Sequence, residues 1–91
     1  MQNSEISQVF SEIADRLMKQ KNDIFKIRAY QKVARTIAEC PEPVEKLAAE
    51  GRLREIEGVG EAIEKKIKEL VTTGKLTFLE KLRAEMKEGE G

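Results

Sequence analysis

A chain of 91 residues, 40% apolar and 37% charged, can form one small domain with a core of its own and has no room for a second. Seventeen Lys and Arg balance seventeen Asp and Glu, so any attraction to a nucleic acid or an anionic membrane has to come from a local patch. With no His and one Cys, the chain excludes a zinc finger, an iron–sulfur cluster, a Cys/His dyad and a Ser/His/Asp triad.

Ser, Thr, Lys, Cys and carboxylate remain as nucleophiles. A solitary Cys40 cannot staple the fold, which points to a reducing, intracellular compartment and to a small buried hydrophobe as its role. The N-terminus lacks the cationic and apolar regions of a signal peptide, and the longest apolar run is Leu47-Ala48-Ala49, so neither a signal peptide nor a membrane span is expected.

Helical periodicity accounts for nearly the whole chain. Ile6, Val9, Phe10, Ile13 and Leu17 recur at helical spacing from Ser4 to about Gln20, with Asn3 or Ser4 as N-cap. After a polar break at Lys19 to Asp23, a second stripe of Ile27, Tyr30, Ala34, Ile37 and Ala38 runs to about Glu39, where Pro41 stops it. Pro43 in a first turn opens a short helix from Val44 to Glu50, closed by Gly51, and Arg52 to Ile56 add one helical turn. A strongly helical run from Glu61 to Thr73 ends at Gly74. Leu76, Leu79, Leu82 and Met86 mark a last helix, and residues 88–91 read as a frayed tail after a domain of residues 1–87. Nothing alternates with period two, so the expected fold is all-α: a compact bundle of four main helices plus short helical turns. Its core takes Ile6, Phe10, Ile13, Leu17, Tyr30, Ala34, Ile37, Ile63, Ile67, Leu70, Leu79 and Leu82, each large side chain stabilising by roughly 1.5–3 kcal/mol when fully buried.

Charge counted by segment recovers what the total hides. Residues 19–38 hold six cations against one acid, whereas residues 39–57 hold three against six. Arg28, Lys32 and Arg35 follow the i, i+4, i+7 rule and share one exposed stripe of the second helix. Further on, Leu53 to Ile63 is two helical segments joined by the tight turn Glu57-Gly58-Val59-Gly60. Gly58 and Gly60 can take positive φ and admit another backbone, and Val59 between them is an apolar anchor. The next helix starts at once, so the unpaired amides around Gly58, Val59, Gly60, Glu61 and Ala62, with the positive end of its dipole, face any docked phosphate. Taken alone, both features also fit an ordinary solvated face and an ordinary helix-connecting turn.

Ile56 to Gly60, followed by Ala62, Ile63 and Ile67, resembles the helix-hairpin-helix motif. Nearly the whole chain, from about Glu5 to Met86, is similar to the N-terminal domain of family X DNA polymerases. The segments that carry the likeness are Arg28-Ala29-Tyr30-Gln31-Lys32-Val33-Ala34, the hairpin, Ile63-Glu64-Lys65-Lys66-Ile67 and Thr73-Gly74-Lys75-Leu76. The resemblance implies sequence-independent binding to the 5′-phosphate side of gapped DNA in base excision repair, in the nucleoid or nucleus. It further implies a monomer joined to polymerase domains in a longer native chain. No cofactor is required, although the resemblance implies a monovalent cation, Na⁺ or K⁺, held by the backbone carbonyls of Arg54, Ile56 and Val59. It places Lys26 and Tyr30 in a 5′-phosphate pocket and makes Lys66 the Schiff-base nucleophile of a deoxyribose-phosphate lyase. Polymerisation needs paired aspartates on two metal ions, and no segment here supplies them.

The residues around Lys66 can be read without the family. Ile63, Ile67, Leu70 and Val71 define a buried stripe, and Lys66 falls on its border with Ala62 and Leu70 at four-residue offsets. Lys65 and Lys68 have Glu61 and Glu64 at that offset. Half-burial against apolar neighbours favours the free amine that attack on a sugar aldehyde requires, while a stem snorkelling over the core, or a pair with Glu69, fits equally well. Phe25 stands where a member of the family has a phosphate-binding histidine, and Ala62 and Phe78 stand where it has basic residues. A pocket with fewer cations binds a terminal phosphate less tightly. The alternative is a helical protein-interaction module without DNA binding, suggested by the zero net charge and the acidic stretch from Glu39 to Glu57.

Overall fold

The computed structural model describes the backbone of residues 1–90 and the side chains through Glu85. Its elements are α1 (Asn3–Lys19), α2 (Ile24–Glu39), α3 (Val44–Ala49), a 3₁₀ turn (Leu53–Glu55), α4 (Glu61–Thr73) and α5 (Thr77–Glu90). No strand occurs among the described residues. α5 thus continues through positions 88–90; the Met86 side chain and Gly91 lie outside the described residues.

The α1–α2 pair is the frame on which the rest is laid. Ile6, Phe10, Ile13 and Leu17 of α1 are buried against Ile27, Tyr30, Val33, Ala34 and Ile37 of α2. The sequence stripe placed Ala38 inward, but it is exposed, and Val33, fully buried, takes the inward place beneath the hairpin. Ile63 and Val71 line the edge of the core rather than its interior, as does Val9. Val44, Leu47, Leu53, Ile56, Val59 and Leu76, which are short-range turn and small-helix positions, complete the core. Cys40 is half-buried against it.

The connections explain how a chain this short is held in register. α1 closes in a Schellman turn, with Asn22 N–H donating to Leu17 O and Lys21 N–H to Met18 O, both at 3.0 Å, and Lys21 occupies the left-handed position at φ 56°. Asp23 then caps α2 through Oδ1, which accepts Phe25 N–H at 2.8 Å. Asn3 does not cap its own helix. Its Oδ1 accepts the Val44 N–H at 2.8 Å and its Nδ2 donates to Glu42 O at 2.8 Å, so it caps α3 forty-one residues away. At the start of α1, Gln2 N–H donates to Glu5 Oε1 at 2.8 Å. α3 starts at Val44 as expected, with Pro43 just before it. Glu12 joins α1 to α5 through a bidentate pair with Arg83 at 2.6 and 2.7 Å, and to Arg16 at 2.7 Å.

Candidate nucleic-acid interface

The hairpin between the 3₁₀ turn and α4 is fixed from below and open above. Ile56 and Val59 are buried, which pins both arms of the turn to the core, and Val59 N–H donates to Ile56 O at 3.1 Å. Gly58 has φ +90°, a conformation L side chains rarely adopt, and a Cβ there would lie 3.4 Å from Val33 Cγ2 and 3.5 Å from Lys32 Cγ. Gly58 is therefore a glycine for the fold. Gly60 differs from the sequence expectation: its φ is −104°, not positive, and a Cβ there would meet nothing within 4 Å. Its bare surface faces open space, where an approaching backbone can use it.

Behind Gly60, α4 begins without a side-chain cap, and its first helical acceptor, Gly60 O, takes Glu64 N–H at 2.8 Å. The N–H groups of Gly60, Glu61, Ala62 and Ile63 consequently have no acceptor among the described residues. They form a row of donors at the positive end of a 13-residue helix. The opposing feature is acid: Glu57, Glu61 and Glu64 all stand near this turn. Each is paired, Glu57 with Lys32 at 3.3 Å, Glu61 with Lys65 at 3.6 Å, and Glu64 with Arg54 at 3.2 Å and Lys68 at 3.9 Å. Exposed pairs of this kind soften the local negative charge without removing it.

Of the basic stripe, Lys32 lies against this turn, whereas Arg35 lines a groove with Ser7, Ser11, Ala14 and Asp15 of α1. Thr36 Oγ1 donates to Glu57 O at 2.8 Å, and together with the Lys32–Glu57 pair it lashes the hairpin to α2. Arg28, Lys32 and Arg35 are all exposed; Lys32 is engaged by Glu57, while Arg28 and Arg35 make no ion pair among the described residues. Lys26 is exposed and equally without an ion pair. Periodicity had no means of finding the Lys32–Glu57 contact, because the two residues are twenty-five positions apart.

A second concavity, of about 520 Å³, adjoins the start of α4 and is lined by Glu61, Ala62, Lys65, Lys66, Glu69 and Phe78. Lys66 is half-buried there, on the border of the α4 stripe as its spacing predicts. Its Nζ sits over the Phe78 ring, 4.8 Å from the centroid. Phe78 stacks on Tyr30 at 6.0 Å, and Tyr30 stacks on Phe10 at 6.1 Å. Tyr30 is therefore a core side chain, and burial raises the pKa of its phenol. Among the described residues its hydroxyl has no hydrogen bond and no buried polar side-chain atom is left unpartnered, so that hydroxyl reaches the surface. Phe25 is 75% exposed and lies beside Ile24, also exposed.

The acidic stretch from Glu39 to Glu57 is largely self-neutralised. Arg52 alone bonds Glu42, Glu50 and Glu55 at 3.2, 2.6 and 2.9 Å, and this holds the Glu55 carboxyl below its usual range. Among the described residues no three Cys, Asp or Glu side chains converge to hold a metal ion, and no helix is long and apolar enough to cross a membrane.

The domain is all-helical among its described residues, and its tight glycine turn leads straight into the uncapped start of α4. The sequence model of the helix-hairpin-helix domain matches residues 1–76, and the chain belongs to that family. Helix-hairpin-helix domains generally bind nucleic acid.

Proposed function

We propose that this domain binds DNA without reading its sequence and docks on the 5′-phosphate side of a gap, as the N-terminal domain of a family X DNA polymerase does. The observation that carries the reading is the row of four unpaired N–H donors behind Gly60, whose open face lets a phosphodiester approach to hydrogen-bond distance. Arg28, Lys32 and Arg35 supply the counter-charge alongside, and Glu57 yields Lys32 to a phosphate at little cost because the pair is exposed. The carbonyls of Arg54, Ile56 and Val59 are uncharged oxygen donors of the kind a weakly held monovalent cation takes; Ile56 O already accepts one hydrogen bond and keeps a second lone pair. Such a cation would place positive charge beside the gripped phosphate.

The terminal 5′-phosphate falls to the cleft at Lys66 and to Lys26 and the Tyr30 hydroxyl, with Lys66 as its main cation. A second reading rests on the position of Lys66 in that cleft. Attack of a neutral Nζ on the C1′ aldehyde of a 5′-deoxyribose phosphate would give an imine with loss of water, and borohydride would trap it. Trapping in the parent and in Lys65→Ala but not in Lys66→Ala supports the lyase; no adduct with the DNA demonstrably bound removes it.

The test is titration of gapped, nicked and blunt duplexes, each with and without a 5′-phosphate. The 5′-phosphorylated gap binds best, and the log-log salt slope is shallow, on the order of −2 to −4, because few cations are available. Equal binding with and without the phosphate would remove the gap reading. Absence of salt-dependent binding to any duplex would leave the acidic stretch and a protein partner.

A further inference from the structure

Lys66 differs from its neighbours on α4 in what it faces. Lys65 and Lys68 are each held by the glutamate four residues before them, Glu61 and Glu64. Lys66 makes no ion pair among the described residues; its contact is with the face of Phe78. Glu69, the carboxylate nearest in helical position, is occupied elsewhere: its Oε2 accepts both Thr77 Oγ1 at 2.6 Å and Thr77 N–H at 2.9 Å, closing the start of α5. These two bonds hold the Glu69 carboxyl below its usual range, with a smaller pull from Lys66.

The Phe78 ring is itself fixed. It is the outer member of a three-ring stack whose inner member, Phe10, is fully buried, and interplanar angles of 17° and 21° keep the faces nearly parallel. A ring held this way presents its electron-rich face at one place and cannot follow the lysine about. It covers one side of the ammonium and leaves the side toward the cleft for an anion. The same cleft is walled by Glu61 and Ala62, whose backbone amides are two of the four unpaired donors.

We infer that Phe78 is a positioning residue: through the Phe10–Tyr30–Phe78 stack it holds the Lys66 ammonium beside the α4 amides, so that the two together receive a terminal phosphate. This rests on the proposed docking at a 5′-phosphate. The ring holds the ammonium at the cleft wall by cation–π attraction and adds no charge of its own.

The experiment compares the parent with Phe78→Leu, Phe78→Tyr, Lys66→Gln and the Phe78→Leu, Lys66→Gln double variant. Leu keeps apolar bulk without a ring face; Tyr keeps the face. The first readout is the proton shift of the Lys66 Cε methylene, displaced upfield by the ring in the parent and in F78Y and relaxed to an ordinary value in F78L. The second is the ratio of affinities for gapped duplex with and without a 5′-phosphate. Lys66→Gln lowers this ratio about tenfold, as expected for a lost charge-assisted bond. F78L lowers it about threefold, F78Y leaves it unchanged, and F78L adds nothing once Lys66 is Gln. A merely loosened fold would lower both affinities alike and leave their ratio at the parental value, so the ratio reads the contact with the terminal phosphate. A parent ratio of one overturns the docking reading and the inference with it. A parent ratio well above one that F78L retains overturns the inference alone.

Discussion

The two hairpin glycines should respond in opposite ways to a side chain. At Gly60 the backbone is extended and a Cβ meets nothing within 4 Å, so Gly60→Val costs the fold little. Losing glycine at an N-cap disfavours α4 by about 0.5–1 kcal/mol, and the narrower unfolded ensemble returns about 0.4–1 kcal/mol. At Gly58, φ +90° is unfavourable for any L residue, and the new Cβ presses on Val33 and Lys32, so Gly58→Ala costs about 1–3 kcal/mol. DNA binding reverses the order of interest. Valine at position 60 stands where a phosphodiester would approach, and losing amide bonds to a charged phosphate costs at least about 1.5 kcal/mol each, hence at least a tenfold weaker complex. Those amides carry no net charge, so the salt slope stays as in the parent while affinity falls for every sequence alike. Thermal melts and DNA titrations at four salt concentrations separate these effects. A Gly60→Val variant with native melting and parental affinity would refute the reasoning.

By contrast, Arg28→Gln and Arg35→Gln should each flatten the log-log salt slope by about 0.9 in the same titration, since each removes one phosphate-neutralising charge. Lys21→Gly should raise stability by about 0.5–1 kcal/mol in a urea titration, because Lys21 occupies the left-handed position of a Schellman turn at φ 56°. Asn3→Ala should lower it by about 1–2 kcal/mol by leaving the Val44 amide and the Glu42 carbonyl without their partner. The hydrogen bonds from Arg83, and then from Arg16, hold the Glu12 carboxyl down from 4.5 to about 2. Because the folded state binds that proton less readily than the unfolded chain, the stability it lends is complete above about pH 4.5 and is lost as the pH falls toward 2. Arg83→Met should therefore flatten the acid limb of stability against pH, and an unaltered limb would show that the α1–α5 pair contributes nothing.

Much of this architecture could be read from the chain because it rests on local signals. The bounds of α4 follow from an amphipathic run ended by Gly74, whose φ of +78° is the left-handed terminator such a glycine supplies. The hairpin was legible for the same reason. What escaped was set by contacts distant in sequence. Asn3 carries a good N-cap side chain, but the helix it caps is α3, brought within reach by packing. Val33 and Ala38 exchange places because the hairpin settles over Val33, and a single-helix wheel contains no hairpin. Spacing places Tyr30 in the core, as found, but the Phe10–Tyr30–Phe78 stack joins three helices, so no spacing reveals its ring partners or that Lys66 has a ring beside it. Gly58 and Gly60 look alike in sequence, and only their φ angles and neighbours separate the glycine that builds the turn from the one that leaves its face open.

The central claim, that phosphate is gripped by main-chain amides at the start of α4, is tested most directly by amide chemical-shift mapping with two short duplexes of unrelated sequence. The account predicts that Gly60, Glu61, Ala62 and Ile63 show the largest N–H perturbations, that the pattern is the same for both duplexes, and that it fades as salt is raised. Perturbations that spare these four amides, or that change their location with the sequence, would contradict it.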